Sequence, residues 1–245
     1  MLESGALSDD GFPEFGKEVV LFIHITTQIE GRKDEKLFSE IGGTGFPHVV
    51  AMNPAGKVIG ELHWEKRTVD GCRELMKDGK AFTELMAKAE KGDNGARIEY
   101  FPKALKLGHF KLAEAKTYYA GLKNVPAEAK KEIDGLLAGL EMKDILAPLS
   151  RPIMDRAKVK ELQVAAGRKL WEMEQGSRVP GEEDDAITFY ALIVIAAEED
   201  KNLPAFERGL SVLKDRFGSK VKRFIDQKQP VLDKLKEEKE EKKDK

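Results

Sequence analysis

The chain has 245 residues, a length that allows one large domain or two small ones. Lys and Arg total 42 against 44 Asp and Glu, and the net charge of −2 argues against a nucleic-acid-binding protein, because such proteins usually carry a basic excess. Cys72 is the one cysteine of the chain, which therefore cannot form an internal disulfide, a Cys-x-x-Cys redox pair or a cysteine-rich zinc site.

Residues 1–92 mix short apolar runs with glycine-rich breaks, a pattern typical of α/β structure. Within this part, residues 19–26 are a continuous β-branched and aromatic run, which predicts a strand buried on both faces. Residues 34–41 predict a short helix that Gly42 and Gly43 end as a C-cap.

A β-hairpin and a long helix are predicted next. Residues 49–52 and 57–62 have the composition of strands, and residues 53–56, Asn-Pro-Ala-Gly, have the chemistry of a turn between them. Apolar residues three and four positions apart in residues 68–89 predict an amphipathic helix. The turn formers at residues 91–95 then predict a linker.

Gly45, Phe46, Pro47 and His48 stand between the predicted short helix and the hairpin. A proline at such a position is typical of a constrained turn, since X–Pro bonds are the ones with an appreciable cis population. With these residues, the segment 19–62 resembles the C-terminal half of a thioredoxin-like domain, in which a Gly-hydrophobic-Pro-Thr motif carries a cis proline. His48 replaces the usual threonine. The resemblance covers about 90 residues and implies a loop that holds extended peptides through backbone hydrogen bonds.

The chain departs from the thioredoxin-like pattern before residue 19. The family's domain begins with a strand, a helix and a strand followed by Cys-x-x-Cys, and the first 18 residues contain no cysteine. Two central strand edges would then lack a partner, which is costly and favours association. Three alternatives follow. The start site is assigned too late, the chain is a degenerate paralogue that pairs its strands differently, or a partner supplies the missing strands.

Few residues are candidates for chemistry. Cys72 lies among apolar residues of the predicted helix at 68–89, which favours a buried core cysteine, and the alternative is a free thiol that forms mixed disulfides. The histidines lack metal-ligand spacing and the chain lacks a phosphate-binding glycine loop, so we expect no metal, no cofactor and no catalytic residue. His48 is either a surface histidine or, by the resemblance, part of a peptide-binding loop with Gly45, Phe46 and Pro47.

Residues 93–232 have helical periodicity almost throughout and predict an all-α domain. Residues 108–126 resemble the second helix of a tetratricopeptide repeat, which implies a helical bundle or a short tetratricopeptide-like region that binds protein. Residues 184–198 are apolar nearly all round and predict the central helix of this part, and Pro230 is expected to break or kink the last one. Residues 233–245 predict a charged tail, either a solvated helix or disordered.

These features predict an N-terminally incomplete thioredoxin-like α/β domain at 1–92, a helical domain at 93–232 and the tail at 233–245. We expect a redox-inactive protein-interaction module that binds a protein or an extended peptide, without nucleic acid or a membrane span, and that self-associates through an open sheet edge. The alternative is a thiol–disulfide oxidoreductase whose Cys-x-x-Cys lies upstream of a late start site. The lack of a signal sequence favours the cytoplasm, and an overlooked upstream signal peptide would favour an extracytoplasmic protein.

Overall fold

The computed structural model describes residues 8–24, 34–43, 45–150 and 153–241. In these ranges it has ten α-helices and one two-stranded sheet, so the structure is mainly helical, while a thioredoxin-like α/β domain is not confirmed. The chain divides into two compact units, Met1–Val125 and Pro126–Lys245.

The first unit carries the sheet and five of the described helices. In chain order these elements are α1 (Phe12–Phe15), α2 (Leu37–Glu40), β1 (Val50–Met52), β2 (Val58–Glu61), α3 (Val69–Glu90), α4 (Asn94–Lys106) and α5 (Leu112–Ala120), with a 3-10 turn at Trp64–Lys66 before α3. Thr68 begins α3 because its hydroxyl accepts a hydrogen bond from the Gly71 N–H. Asp93 caps α4 through the Ala96 N–H, so α4 begins at Asn94, and Pro102 lies inside it.

The prediction of a buried strand at residues 19–26 is wrong for residues 19–24, and residues 25 and 26 lie outside the described residues. Val20, Phe22 and Ile23 are 97%, 67% and 79% exposed. A strand that is buried on both faces lies inside a sheet, with a hydrogen-bonded strand on each side. The described sheet contains only β1 and β2. Strand composition without such neighbours does not produce a strand here.

The predicted hairpin is confirmed. β1 and β2 pair antiparallel, with Ala51 opposite Gly60. The Asn53 side-chain oxygen shapes the turn by accepting hydrogen bonds from the backbone N–H groups of Ala55 and Lys57, at 3.0 and 2.9 Å. Hydrogen bonds within the turn therefore stabilise the hairpin. Its first strand, β1, begins one residue after the Gly-Phe-Pro-His segment.

Aromatic side chains pack α4 and α5 into the first unit. Phe82 of α3 stacks on Tyr100 of α4, with ring centroids 5.4 Å apart, and Phe101 stacks on Tyr118 of α5 at 4.8 Å. Because of these contacts the first unit continues past the expected boundary at residues 92 and 93 and ends at Val125. α5 thus belongs to the core around α3, and the tetratricopeptide-like interpretation of this segment stays a prediction.

The second unit is helical in the ranges that the structure describes. Its elements are α6 (Ala127–Leu146), a 3-10 turn (Ala147–Ser150), α7 (Arg156–Gln175), α8 (Glu183–Glu199), α9 (Leu203–Phe217) and α10 (Lys222–Glu241). α8 is central as predicted, since Phe189, Ile193 and Val194 are at most 1% exposed. α7 comes very close to α8 at Gly167, where a Cβ atom would lie 2.1 Å from the Leu192 carbonyl oxygen.

α10 continues through the predicted charged tail as far as Glu241, and Pro230 lies inside it. Its last turns are joined to α9 and to the turn before it by ion pairs, with Lys236 Nζ 3.0 Å from Glu207 and Glu238 3.0 Å from Lys201 Nζ. Residues 242–245 lie outside the described residues. Among the helices of the described ranges, none has the length and apolar character that crossing a membrane requires.

Candidate functional site

The candidate site is the segment that joins α2 to β1, together with the side chains that pack on it. Gly42 lies just after the C-cap of α2 with a left-handed φ of +78°, and the Gly43 N–H donates to the Phe38 carbonyl at 2.8 Å. This turn allows the Phe38 ring to stack on the Phe46 ring at 4.5 Å. Phe46 remains 69% exposed, so an aromatic face is presented to solvent beside the start of β1.

Arg67 holds the proline of the segment in place. The Phe46–Pro47 peptide bond is cis, and Arg67 Nη2 donates a hydrogen bond to the Pro47 carbonyl at 2.5 Å. Arg67 directly precedes Thr68, the N-cap of α3, so the guanidinium is anchored by a defined helix start. Its Nε is buried and has no hydrogen-bond partner within the described ranges.

His48 is packed into the unit. Its side chain is only 8% exposed, its Nδ1 lies 3.3 Å from a carboxylate oxygen of Glu61, and its ring meets the Phe38 ring edge-on at 5.9 Å. Because the carboxylate can only accept, Nδ1 is the ring nitrogen that donates to it. Nε2 is buried without a partner in the part of the chain that the structure describes. The interpretation of His48 as a plain surface histidine therefore does not hold for its side chain.

The outer edge of β1 lies next to this segment and has no strand partner among the described residues. The Leu62 N–H donates to the Val49 carbonyl at 2.9 Å, and Val50 lies opposite Glu61. Backbone groups of an antiparallel strand alternate between its two edges, so the N–H and C=O of Val50 face away from β2. The described sheet has no third strand to accept them.

Cys72 does not have the surroundings of a reactive thiol. It lies in the first turn of α3, half-buried, and burial raises the pKa of its thiol above the ordinary value. A reactive cysteine needs the opposite shift, toward thiolate. The structure thus favours the interpretation of Cys72 as a packing residue over that of a thiol for mixed disulfides.

The other histidines serve local contacts. His24 Nε2 lies 2.8 Å from the Asp34 carbonyl oxygen, His63 is 67% exposed beside Glu65, and His109 bridges Val58 and Tyr100. Among the described residues, no three His, Cys, Asp or Glu side chains are grouped so that they could hold a metal ion.

A cleft of the second unit is a weaker candidate for a binding site than this segment. Its lining combines acids and bases from α6 and α7 and the turn that follows α7: Glu141, Asp144, Ile145, Lys169, Glu172, Met173 and Arg178. Arg178 is already paired with Glu141 across it. One pair of opposite charges in this cleft is therefore already satisfied within the second unit.

Sequence reasoning proposed Gly45, Phe46, Pro47 and His48, and it missed three residues that pack against them. Phe38, Glu61 and Arg67 come from α2, β2 and the residue before the α3 cap. The hairpin register could have placed Glu61 near His48, since Val50 and Glu61 are opposite, but the sequence held no signal for Arg67. Comparisons with models of protein families, with curated proteins and with solved structures find no match for this chain.

Proposed function

We propose that the first unit is a protein-interaction module that binds an extended segment of another protein along the outer edge of β1. The observation that carries the proposal is the exposed Phe46 ring, stacked on Phe38, beside a strand edge whose Val50 backbone groups have no strand partner among the described residues. An extended peptide that adds a strand gains main-chain hydrogen bonds from such an edge and side-chain specificity from an adjacent apolar surface.

The rigidity of the segment supports the same function. Arg67 fixes the Pro47 carbonyl and the packed His48 ring fixes the chain two residues before β1, so the edge and the Phe46 ring keep a defined spacing. A preformed surface loses less conformational freedom on binding than a flexible one. The ligand that fits this surface is an uncharged, extended stretch with a β-branched or aromatic side chain next to Phe46.

A library of random peptides, selected on the immobilised chain, tests the proposal. We expect the selected peptides to be rich in β-branched and aromatic residues, and we expect Phe46→Ala to weaken their binding by about tenfold, the effect of a moderate aromatic hot spot. Backbone N–H groups of a selected peptide can then be methylated one at a time. Methylation of an N–H group that faces the Val50 edge should abolish binding, whereas methylation of an N–H group that faces away from it should leave binding intact.

Met154→Ala is the control, since Met154 is an exposed apolar residue of the second unit, at 97% against 69% for Phe46. It should leave the affinity of the selected peptides unchanged. The proposal fails if Phe46→Ala binds the peptides as tightly as the unmodified chain, or if backbone methylation has the same effect at every position.

A further inference from the structure

Consecutive large apolar side chains lie exposed between α1 and α2, at residues 20–23, a segment that we call the apolar run. The exposed fractions of Val20, Leu21, Phe22 and Ile23 are 97%, 54%, 67% and 79%. Single exposed apolar residues are ordinary on a protein surface, whereas a contiguous apolar patch marks a surface that contacts another molecule. The apolar run therefore calls for a partner.

The flanks of the apolar run are attached to the first unit. On the side of α1, Phe15 is buried, and a Cβ atom on Gly16 would lie 3.4 Å from Leu21 Cδ1. On the other side, His24 Nε2 lies 2.8 Å from the Asp34 carbonyl oxygen. The run is therefore presented to solvent between two attached flanks.

The chemistry of the apolar run matches that of the β1 edge. Its residues are uncharged and mostly β-branched or aromatic, which suits a strand, and since it contains no proline every residue can donate a backbone hydrogen bond. The N–H and C=O of Val50 face away from β2, and the exposed Phe46 ring lies beside them. The run lacks a strand partner and the edge lacks a strand, so each supplies what the other needs.

We propose that the apolar run of one copy of this chain pairs with the β1 edge of a second copy, and that two copies exchange their runs reciprocally. Each copy has one such run and one such edge, so the exchange satisfies both copies and closes as a dimer. The described sheet of each copy gains a third strand. This inference rests on the proposed function, because it uses the same edge and names this chain as the partner.

A second copy fits the edge better than the run of the same copy does. The run of the same copy does not occupy the edge, since the described sheet contains only β1 and β2 and the run is exposed. Its side chains already face solvent, so a second copy can reach them while Phe15 stays buried and His24 keeps its contact with Asp34.

Light scattering after size-exclusion chromatography, from dilute to concentrated solution, tests the exchange on the whole chain. We expect a monomer that becomes a dimer as the concentration rises, and no larger species. Val20→Lys places a charge in the paired run and should raise the Kd of the dimer at least about tenfold. Met154→Lys is the matched control, since Met154 and Val20 are both 97% exposed, and it should leave the Kd unchanged.

A synthetic peptide of residues 17–24 tests the pairing itself. It should bind the Val20→Lys chain, whose β1 edge is intact and no longer occupied by a second copy. Phe46→Ala in that chain should weaken binding of the peptide by about tenfold. A peptide of the same sequence with every backbone N–H methylated keeps the side chains but cannot pair with Val50, and it should not bind.

Three results would each overturn the exchange. They are a chain that stays monomeric at every concentration, assemblies that grow beyond the dimer, and a dimer that Val20→Lys weakens no more than Met154→Lys does. The peptide experiment separates this inference from the proposed function. If peptides selected from the library bind the β1 edge and the peptide of residues 17–24 does not, the exchange is wrong and the proposed function stands. If neither binds, both are wrong.

Discussion

Replacement of Gly167 by alanine is expected to destabilise the second unit, although alanine is the better helix former. Gly167 lies in α7 where this helix meets α8, and an added Cβ atom would be 2.1 Å from the Leu192 carbonyl oxygen and 2.6 Å from the Ala196 Cβ. Both obstacles belong to the backbone or the first side-chain atom of α8, so neither can rotate away. The two helices would have to separate by roughly 1 Å to reach an ordinary contact distance.

Two opposing contributions set the size of the effect. Alanine in place of glycine in a helix interior stabilises by about 0.5–1 kcal/mol. Overpacking of a close interface costs about 1–3 kcal/mol, and the rigid obstacle places Gly167 at the upper end of that range. The expected net loss is about 2 kcal/mol in the free energy of unfolding, which lowers the Tm of a unit of this size by on the order of 5–10 °C.

Urea unfolding followed by tryptophan fluorescence measures this loss. Trp171 lies in α7 and reports on the second unit, and replacement of Trp64 by phenylalanine removes the signal of the first. Gly139→Ala in α6 is the matched control, because its Cβ would meet only the flexible Asp185 carboxylate, at 3.3 Å. This variant should be neutral or slightly more stable. A Gly167→Ala variant as stable as Gly139→Ala would show that α7 and α8 are not in close contact.

Three further predictions concern the first unit. Arg67→Met removes the donor to the Pro47 carbonyl and should cost about 1–2 kcal/mol in urea unfolding monitored by Trp64, with Trp171 replaced, and a loss equal to zero would contradict the role of Arg67 as an anchor. Because burial raises the pKa of the Cys72 thiol, this thiol should react with an aromatic disulfide reagent more slowly than free cysteine does at neutral pH. In urea, which unfolds the chain, the two thiols should react at the same rate. The chain should not catalyse insulin reduction by dithiothreitol, and turnover that survives Cys72→Ser would refute the redox-inactive interpretation.

Local signals in the sequence predicted much of the fold. The hairpin was predictable because Asn53 and Gly56 carry turn chemistry within the turn itself, and α3 because Thr68 provides a cap next to an apolar stripe. The strand expected at residues 19–26 depended on neighbours that the run itself does not encode, and residues 20–23 lie exposed. Composition predicts what a segment prefers, while the sheet around it determines whether that preference is realised.

The candidate site was predictable only in its continuous part. The Gly-Phe-Pro-His segment is visible as a motif, whereas the contact of Arg67 with Pro47 joins residues 20 positions apart and requires the hairpin to be folded first. The same holds for His109, which lies 51 positions from Val58 and looked unremarkable in the sequence. Regular spacing in a sequence reveals residues that share a face of one helix or strand. It does not reveal which residues of two different elements will contact each other.

The ion pairs along α10 make the order of this helix dependent on ionic strength. The side chains of Lys236 and Glu207 are each close to half exposed, and Lys201 is more exposed still, so water and salt reach every one of these charges. The Debye length falls from about 8 Å in physiological salt to about 3 Å at 1 M, so concentrated salt screens these pairs. Concentrated salt should therefore fray the last turns of α10 from their end while the apolar contacts of Leu232 keep its middle in place.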